Sequence, residues 1–269
     1  MALFGFIGVG NMGSALLKAS NKTFGADEIV YYDASSEICN LIYKELDILP
    51  EKNNASVVEK CKYLVLAVKP QYLDKVLREI KGSINSNHIV VSIVAGAPIQ
   101  SIKDVLGTKV KVVRSMPNSS ALISKGFTGV SFSSDTFTDE EKADIDMFFS
   151  SFGEYEVFDE SLMNAVTCAS GSSPAYVYTF IEALADSVVS LGIPRDKAYP
   201  LVAQTVMGAA SMVLETGEHP GILKDKVCSP GGTTISAIKA LEEFGFRNAI
   251  MKATDACYRR AVELSDEAK

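Results

Sequence analysis

Short apolar runs alternate with helix-like segments over the first part of the chain. The apolar runs lie at residues 3–7, 29–32, 63–68, 89–94 and 110–113. Segments with helical spacing lie between them, for example at 12–19 and 71–80. Strands that are apolar on both faces and alternate with helices are typical of a parallel sheet covered on both sides. The pattern predicts a doubly wound α/β fold, with later strands at 126–132 and 155–158 and a helix at 139–152.

The pattern changes at about Glu160. Candidate strands disappear, and long helical stretches follow at 161–191, 195–216 and 233–264. Residues 192–194 and 217–220 contain the Gly and Pro residues that break helices. We therefore predict two domains, a doubly wound sheet over residues 1–160 and an all-α domain over residues 161–269.

Two helical segments of the second domain carry no charge. The first, 161–181, has 21 residues, but small polar residues and Pro174 make it unsuitable for lipid, so we predict buried protein and no membrane partner. The second, 198–214, has 17 residues and is apolar nearly all round, so its surface must be covered. A partner subunit can cover it, because the small residues 208–211 allow close approach. This predicts self-association through the all-α domain.

Composition excludes several classes of protein. The 269 residues are 47% apolar and 22% charged, so the chain can bury a core and is not disordered. A net charge of −7 without a dense run of Lys or Arg argues against nucleic-acid binding. The five cysteines and two histidines lack zinc-ligand spacing, so we expect no metal. Scattered thiols and a first segment without basic residues suggest a cytoplasmic protein.

A G-x-G-x-x-G motif follows the first predicted strand and opens the first predicted helix. It comprises Gly8, Val9, Gly10, Asn11, Met12 and Gly13. In this context the glycines permit a tight turn, close approach to a pyrophosphate and close helix–strand packing. The alternative is an ordinary glycine-rich turn. The context favours a Rossmann-type domain that binds NADPH or NADH.

Further candidate cofactor contacts follow the later strands. Asp33 ends the second strand, 20 residues after Gly13, where a carboxylate binds the ribose hydroxyls of NADH. A 2′-phosphate there would meet like charge, although Ser35 can still donate to it, so we predict that NADH is used at least as well as NADPH. Two loops lie at the carboxyl ends of the next two strands, namely Ala67, Val68, Lys69 and Pro70, and then Val94, Ala95 and Gly96. Asp33 and Lys69 could also be ordinary loop residues.

A second glycine cluster precedes a predicted helix in the all-α domain. Its residues are Ser229, Pro230, Gly231, Gly232, Thr233 and Thr234. Exposed backbone N–H groups and the helix dipole suit a small carboxylate, whereas the plainer alternative is a helix N-cap. We predict a substrate site in this loop. A third patch of small residues, 170–176, fits helix packing and a site equally well.

No Lys or Arg occurs between Lys142 and Arg195. Hydroxy-acid reductases with this two-domain plan place a Lys there as the acid for a carbonyl oxygen, and this chain has none. His88 and His219 have the surroundings of surface or capping residues. A missing acid favours a substrate that is already electrophilic, such as a C=N bond, because a protonated imine accepts hydride at carbon.

Together these segments resemble the pyrroline-5-carboxylate reductase family over essentially the whole chain. The most specific part is 219–234, and 67–70, 116–118 and 170–176 also match family blocks. The resemblance implies a Rossmann domain, a helical domain that joins two subunits into a homodimer or a larger ring, and reduction of L-1-pyrroline-5-carboxylate to L-proline with NAD(P)H. It implies that Thr234 contacts the ring nitrogen and that Asn54 joins the cofactor site. Ser173, Ser120 and Asp33 depart from the usual family pattern.

Two other functions remain open at this point. One is another imine or 2-/3-hydroxy-acid reductase of the same architecture, although the missing Lys argues against a hydroxy acid. The other is a non-catalytic dinucleotide sensor, which would keep the 8–13 loop but has no need of the 229–234 loop.

Overall fold

The structure is a computed structural model that describes residues 1–267. It divides into two compact units, the first made of residues 1–172 with the chain from Cys257 onward, and the second of residues 173–256. The domain boundary at Glu160 stays a prediction, and the compact units divide at a different point. Among the described residues, no helix combines the length and apolar character that crossing a membrane requires.

The first unit contains one seven-stranded sheet in the order β2-β1-β3-β4-β5-β6-β7. The strands are β1 (Ala2–Ile7), β2 (Ile29–Tyr32), β3 (Cys61–Leu66), β4 (Ile89–Ser92), β5 (Lys111–Met116), β6 (Gly126–Phe132) and β7 (Gly153–Val157). β1 to β5 run parallel to one another. β6 pairs with β5 in the antiparallel direction, and β7 follows β6 in parallel. The sheet is therefore parallel except at the β5–β6 pair, whose direction was not predicted.

Helices cover both faces of the sheet, which confirms the doubly wound fold. They are α1 (Asn11–Phe24), α2 (Ser36–Leu46), α3 (Asn54–Val58), α4 (Leu73–Ile80), α5 (Ile99–Leu106) and α6 (Asp139–Ser150). Alternate residues of one strand enter opposite cores, with Phe4 and Phe6 on one side and Ile7 on the other. The first core includes residues of α1, α2 and α6, and the second includes residues of α3, α4 and α5. Period-two alternation of apolar residues thus builds two cores on one sheet.

The chain after β7 is helical, as predicted. The helices are α7 (Met163–Val166), α8 (Ser173–Ser190), α9 (Arg195–Thr216), α10 (Pro220–Val227), α11 (Thr233–Glu243) and α12 (Phe246–Glu267), with a π-helical segment at Thr167–Ser172. The predicted single stretch 233–264 is in fact two helices. Gly245, with φ of +72°, stands between them, and this left-handed conformation ends a helix. Helix α10 lies outside the predicted helical stretches.

The second unit buries little of its own apolar surface. Its small core centres on Ala185, Ala198 and Val202, where α8 packs on α9. On α9 the side chains of Leu201, Met207 and Leu214 are 51%, 56% and 84% exposed. Exposed apolar side chains on this scale indicate an interaction surface, in agreement with the prediction made from the uncharged stretch.

Candidate functional site: a dinucleotide cleft and a glycine–threonine loop

The three glycines of the first loop occupy three different environments. Gly8 has φ of +87°, and a Cβ there would lie 2.9 Å from the Ala67 carbonyl oxygen. A Cβ on Gly13 would collide with the Gly8 carbonyl oxygen, whereas a Cβ on Gly10 would meet nothing within 4 Å. Gly8 and Gly13 therefore permit close packing within the protein. Gly10 instead keeps open the space in front of the loop.

Helix α1 begins directly behind this open space. Its N-cap is Gly10, which has no side chain to satisfy the first N–H groups. Free N–H groups and the positive end of the helix dipole favour an anion at this point. The loop and helix therefore fit the pyrophosphate of a dinucleotide.

Asp33 holds the glycine loop through its carboxylate. Its Oδ2 accepts a hydrogen bond of 2.8 Å from the Val9 N–H, and its Oδ1 accepts one of 2.8 Å from the Ser35 N–H. The two bonds fix both oxygens of a half-buried carboxylate just beyond β2. Each oxygen retains a further lone pair for a ligand hydroxyl.

A cleft of about 530 Å³ opens at the carboxyl ends of β1, β2 and β3. Its lining residues are Ile7, Gly8, Gly10, Tyr32, Asp33, Ala34, Ile38, Asn54, Ala67, Val68, Lys69, Tyr72, Lys75, Val76 and Glu79. This is the edge of a doubly wound sheet at which ligands bind. Seven of the predicted cofactor residues meet there, namely Gly8, Gly10, Asp33, Asn54, Ala67, Val68 and Lys69.

The other predicted cofactor residues lie around or beyond this cleft. Asn11 and Met12 form the first turn of α1, and Pro70 begins a 3₁₀ turn before α4. Ser35 caps α2, and its Oγ accepts a hydrogen bond of 3.4 Å from the Ile38 N–H. The loop Val94 to Gly96 follows β4, and the backbone of Leu264 lies 3.3 Å from where a Cβ of Gly96 would be.

Helix α4 contributes cleft residues that the sequence analysis missed. They are Val76 and two charged side chains, Lys75 and Glu79. Glu79 Oε2 accepts a hydrogen bond of 2.7 Å from Nδ2 of Asn54, and Lys75 Nζ lies 3.9 Å from Glu79 Oε1. Charged residues on an amphipathic helix have the appearance of an ordinary solvated face. Only the packing of α4 beside the sheet brings them to the cleft.

The second loop lies within the second unit and precedes α11. Gly231 has φ of +68°, and the Gly232 N–H donates to the Ser229 carbonyl at 3.0 Å. The N-cap of α11 is Gly232, without a side-chain bond, so Thr233 and Thr234 are the first two helical residues. Among the described residues, neither threonine hydroxyl makes a hydrogen bond. The helix-cap alternative for these threonines is therefore wrong.

Neither histidine lines the cleft. His219 caps α10, and its Nδ1 accepts a hydrogen bond of 3.0 Å from the Gly221 N–H, which confirms the capping role. His88 is 3% exposed, so the surface alternative is wrong for it. Its Nδ1 accepts from the Asn85 N–H and its Nε2 lies 3.0 Å from the Val58 carbonyl oxygen. Both ring nitrogens of His88 are engaged in holding the turn before β4.

Buried cysteines supply no thiolate. Burial raises the pKa of Cys61 to about 12. Burial first, and then a hydrogen bond with Cys257, raise the pKa of Cys168 to about 11. Both thiols stay protonated at neutral pH, so they have little nucleophilic character. Among the described residues there is also no cluster of three or more His, Cys, Asp or Glu suited to a metal ion.

The small-residue patch at 170–176 has a packing role in its first part. It begins within the π-helical segment Thr167–Ser172. A Cβ on Gly171 would lie 2.8 Å from Met116 Cε, so the glycine lets this segment approach the end of β5. Close helix packing therefore explains Gly171, and a site role for its neighbours stays a prediction.

The doubly wound sheet, its glycine loop and the cleft at the carboxyl ends of β1, β2 and β3 define a dinucleotide-binding protein. Residues 160–264 match the sequence profile described as pyrroline-5-carboxylate reductase dimerisation, and residues 3–96 match the one described as NADP oxidoreductase, coenzyme F420-dependent. The chain belongs to the pyrroline-5-carboxylate reductase family.

Relatives from distant organisms support that membership. The pyrroline-5-carboxylate reductase of Escherichia coli is 45% identical over 97% of both chains, and that of Methanosarcina acetivorans is 43% identical over 97% of both. Among solved structures, pyrroline carboxylate reductase of Plasmodium falciparum with NADP bound has a TM-score of 0.89 and 30% identity, and 98% of each chain is covered. The similarity thus extends through both units.

Proposed function

We propose that this chain reduces L-1-pyrroline-5-carboxylate to L-proline with NADH or NADPH as the hydride donor. The observation that carries the proposal is the glycine–threonine loop. Neither threonine hydroxyl at the start of α11 bonds to a residue that the structure describes. A dinucleotide cleft alone would serve many reductases and also a sensor. The loop adds groups suited to a small cyclic imino acid, and the family relationship supports that substrate.

One set of residues binds the coenzyme and a second set binds the substrate. The nicotinamide coenzyme supplies a hydride to the imine carbon when it is bound. The free N–H groups at the N-terminus of α1, next to Gly10, hold its pyrophosphate, and Asp33 holds its adenosine ribose. The Gly231 N–H and the free N–H groups at the N-terminus of α11 hold the substrate carboxylate, assisted by Ser229 and Thr233. Thr234 contacts the ring nitrogen, which changes from iminium to amine as the carbon is reduced.

The proposal is tested by the oxidation of NADH or NADPH in the presence of L-1-pyrroline-5-carboxylate, with L-proline measured as the product. A 2- or 3-hydroxy acid with the oxidised coenzyme tests the alternative reductase. Turnover of the imino acid supports the proposal. Turnover of the hydroxy acid alone, or coenzyme binding without any turnover, would contradict it.

Self-association is expected at working concentrations. Leu201, Met207 and Leu214 of α9 are mostly exposed, so a partner subunit is needed to cover them. We expect sedimentation of the micromolar protein to give a dimer or a larger ring. A monomeric mass under the same conditions would overturn this prediction. Met207→Lys, which places a charge among these exposed apolar side chains, should shift the population toward monomer.

We expect Asp33 to determine the preference between NADH and NADPH. Its fixed carboxylate accepts hydrogen bonds from ribose hydroxyls and repels a 2′-phosphate, so kcat/KM with NADH should at least equal that with NADPH. Asp33→Ser should shift the ratio of the two kcat/KM values toward NADPH. Asp27→Ser is a matched control, since Asp27 lies in the 3₁₀ turn before β2 and is not among the cleft residues. A tenfold or larger NADPH preference in the unaltered protein would contradict the prediction.

A further inference from the structure

Two residues that are far apart in sequence meet at one wall of the coenzyme cleft. Asn54 begins α3, and Glu79 lies in the last turn of α4. The Asn54 side chain is almost fully enclosed, with a residue exposure of 9%, and its Nδ2 donates to Glu79 Oε2 at 2.7 Å. An ionised carboxylate can only accept hydrogen bonds. Glu79 therefore requires the amide nitrogen of Asn54, rather than its oxygen, to face it.

This orientation leaves an acceptor for a ligand. With Nδ2 turned to Glu79, the Asn54 Oδ1 has no hydrogen-bond partner among the described residues. Asn54 lines the cleft, so a ligand that brings a hydrogen-bond donor can bond to this oxygen. A ribose hydroxyl brings such a donor. A phosphate dianion offers only acceptor oxygens and cannot satisfy Oδ1.

The charges of the cleft also favour a ribose with free hydroxyls over one with a 2′-phosphate. Asp33 and Glu79 both line it, and the carboxylate of Asp33 is fixed by two backbone N–H groups. The two lysines among the lining residues are Lys69 and Lys75, and Lys75 lies 3.9 Å from Glu79. The positive charge of Lys75 is therefore partly neutralised by Glu79. A doubly charged 2′-phosphate would face two carboxylates in a partly enclosed space.

We propose that Glu79 is a positioning residue for coenzyme selection, which acts through the Asn54 amide and, together with Asp33, selects an adenosine ribose with free hydroxyls. The coenzyme of this chain is then NADH in preference to NADPH, in contrast to the NADP found in the Plasmodium falciparum structure. The inference rests on the proposed function only for the coenzyme class, a nicotinamide dinucleotide.

The test separates coenzyme binding from catalysis. Isothermal titration calorimetry of the unaltered protein with ADP-ribose and with 2′-phospho-ADP-ribose measures selection without nicotinamide or substrate. We expect ADP-ribose to bind about tenfold more tightly or better, the effect of one unfavourable charge contact in a partly solvated site. Equal affinity, or tighter binding of the 2′-phosphorylated probe, would overturn the inference.

Glu79→Gln isolates the positioning role. A glutamine can donate as well as accept, so the Asn54 amide is free to turn and offer N–H to a phosphate. The affinity for ADP-ribose relative to that for 2′-phospho-ADP-ribose should fall by about three- to tenfold. This is the size of one charge-assisted hydrogen bond gained or lost. The kinetic counterpart is a change in KM for NADPH that exceeds the change in kcat. Asn54→Ser removes the amide itself, and it should lower the same ratio by weakening ADP-ribose binding.

Asp74→Asn is the matched control. It also converts an acid to an amide on α4, but Asp74 pairs with Arg78 and is not among the cleft residues. If Asp74→Asn and Glu79→Gln change this affinity ratio equally, the loss of one negative charge explains the effect. Glu79 would then have no positioning role. Selective binding of ADP-ribose by a protein that does not reduce L-1-pyrroline-5-carboxylate would leave this inference standing and defeat the proposed function.

Discussion

Replacing Thr234 by Ala is expected to lower kcat/KM for the imino acid by about 10- to 1000-fold, the range for loss of one positioned polar contact at a reacting centre. Thr234 is the second residue of α11, and its hydroxyl is not used to cap the helix. It lies at the N-terminus of α11, whose free N–H groups we assign to the substrate carboxylate. A hydroxyl so placed orients the ring nitrogen while its bonding changes, and reaction rates are sensitive to small errors in such geometry.

Two measurements accompany this variant. Thr234→Ser keeps the hydroxyl and should retain most of the activity. Binding of NADH should be unaffected by either change, because the dinucleotide cleft is lined by residues of the first unit. Near-normal turnover in a folded Thr234→Ala protein would show that Thr234 has no catalytic contact. The assignment would then move to Thr233 or to Ser172 and Ser173.

Replacing Gly10 by Ala is expected to remove coenzyme binding while leaving the fold intact. The added Cβ would meet no protein atom within 4 Å, and the backbone of Gly10, with φ of −63° and ψ of −162°, is extended and open to alanine. The methyl group would instead enter the space reserved for the pyrophosphate. We expect the Kd for NADH to rise by about 100-fold or more, as when steric exclusion removes several charge-assisted hydrogen bonds.

Thermal melting and coenzyme titration check this result together. Gly82→Ala is the matched control, because a Cβ on Gly82 also meets nothing within 4 Å and this residue is not part of the cleft. Both variants should melt close to the unaltered protein, and only Gly10→Ala should lose NADH binding. Gly13→Ala offers a contrast. Its Cβ would collide with the Gly8 carbonyl oxygen, so we expect loss of folded protein rather than a selective loss of binding. Normal NADH affinity in Gly10→Ala would place the pyrophosphate elsewhere.

The parts of the fold that were predictable depend on neighbours in sequence. The run 126–132 is observed as β6 with the same bounds, and the glycine loop and Asp33 meet at one edge of the sheet as predicted. The direction of β6 was not predictable, since alternation of apolar residues is the same in parallel and antiparallel strands. Helix α10 has only eight residues between two breaks, which is too short for a clear helical period.

In the candidate site, too, the residues of a local motif were the most predictable from the sequence. Gly8, Gly10 and Gly13 are one motif with a local reason for every residue. Glu79 contacts Asn54, which is 25 positions earlier, only because α3 and α4 lie side by side at the second core. No spacing rule connects the two residues, and an acid at the end of an amphipathic helix is common on solvated surfaces. Predictions from sequence therefore reach the loop that binds the phosphates more readily than the wall of the cleft.

The bond between Asp33 and Val9 has a consequence for how this lineage can change its coenzyme. One carboxylate both shapes the glycine loop and discriminates at the ribose, since Oδ2 is bonded to the Val9 N–H. A single replacement at this position loosens the loop for every dinucleotide before it admits a new one. A protein engineer, or a population under selection, would need a second change that restores the loop. Coenzyme switching in this scaffold is accordingly a path of at least two steps with a less active intermediate.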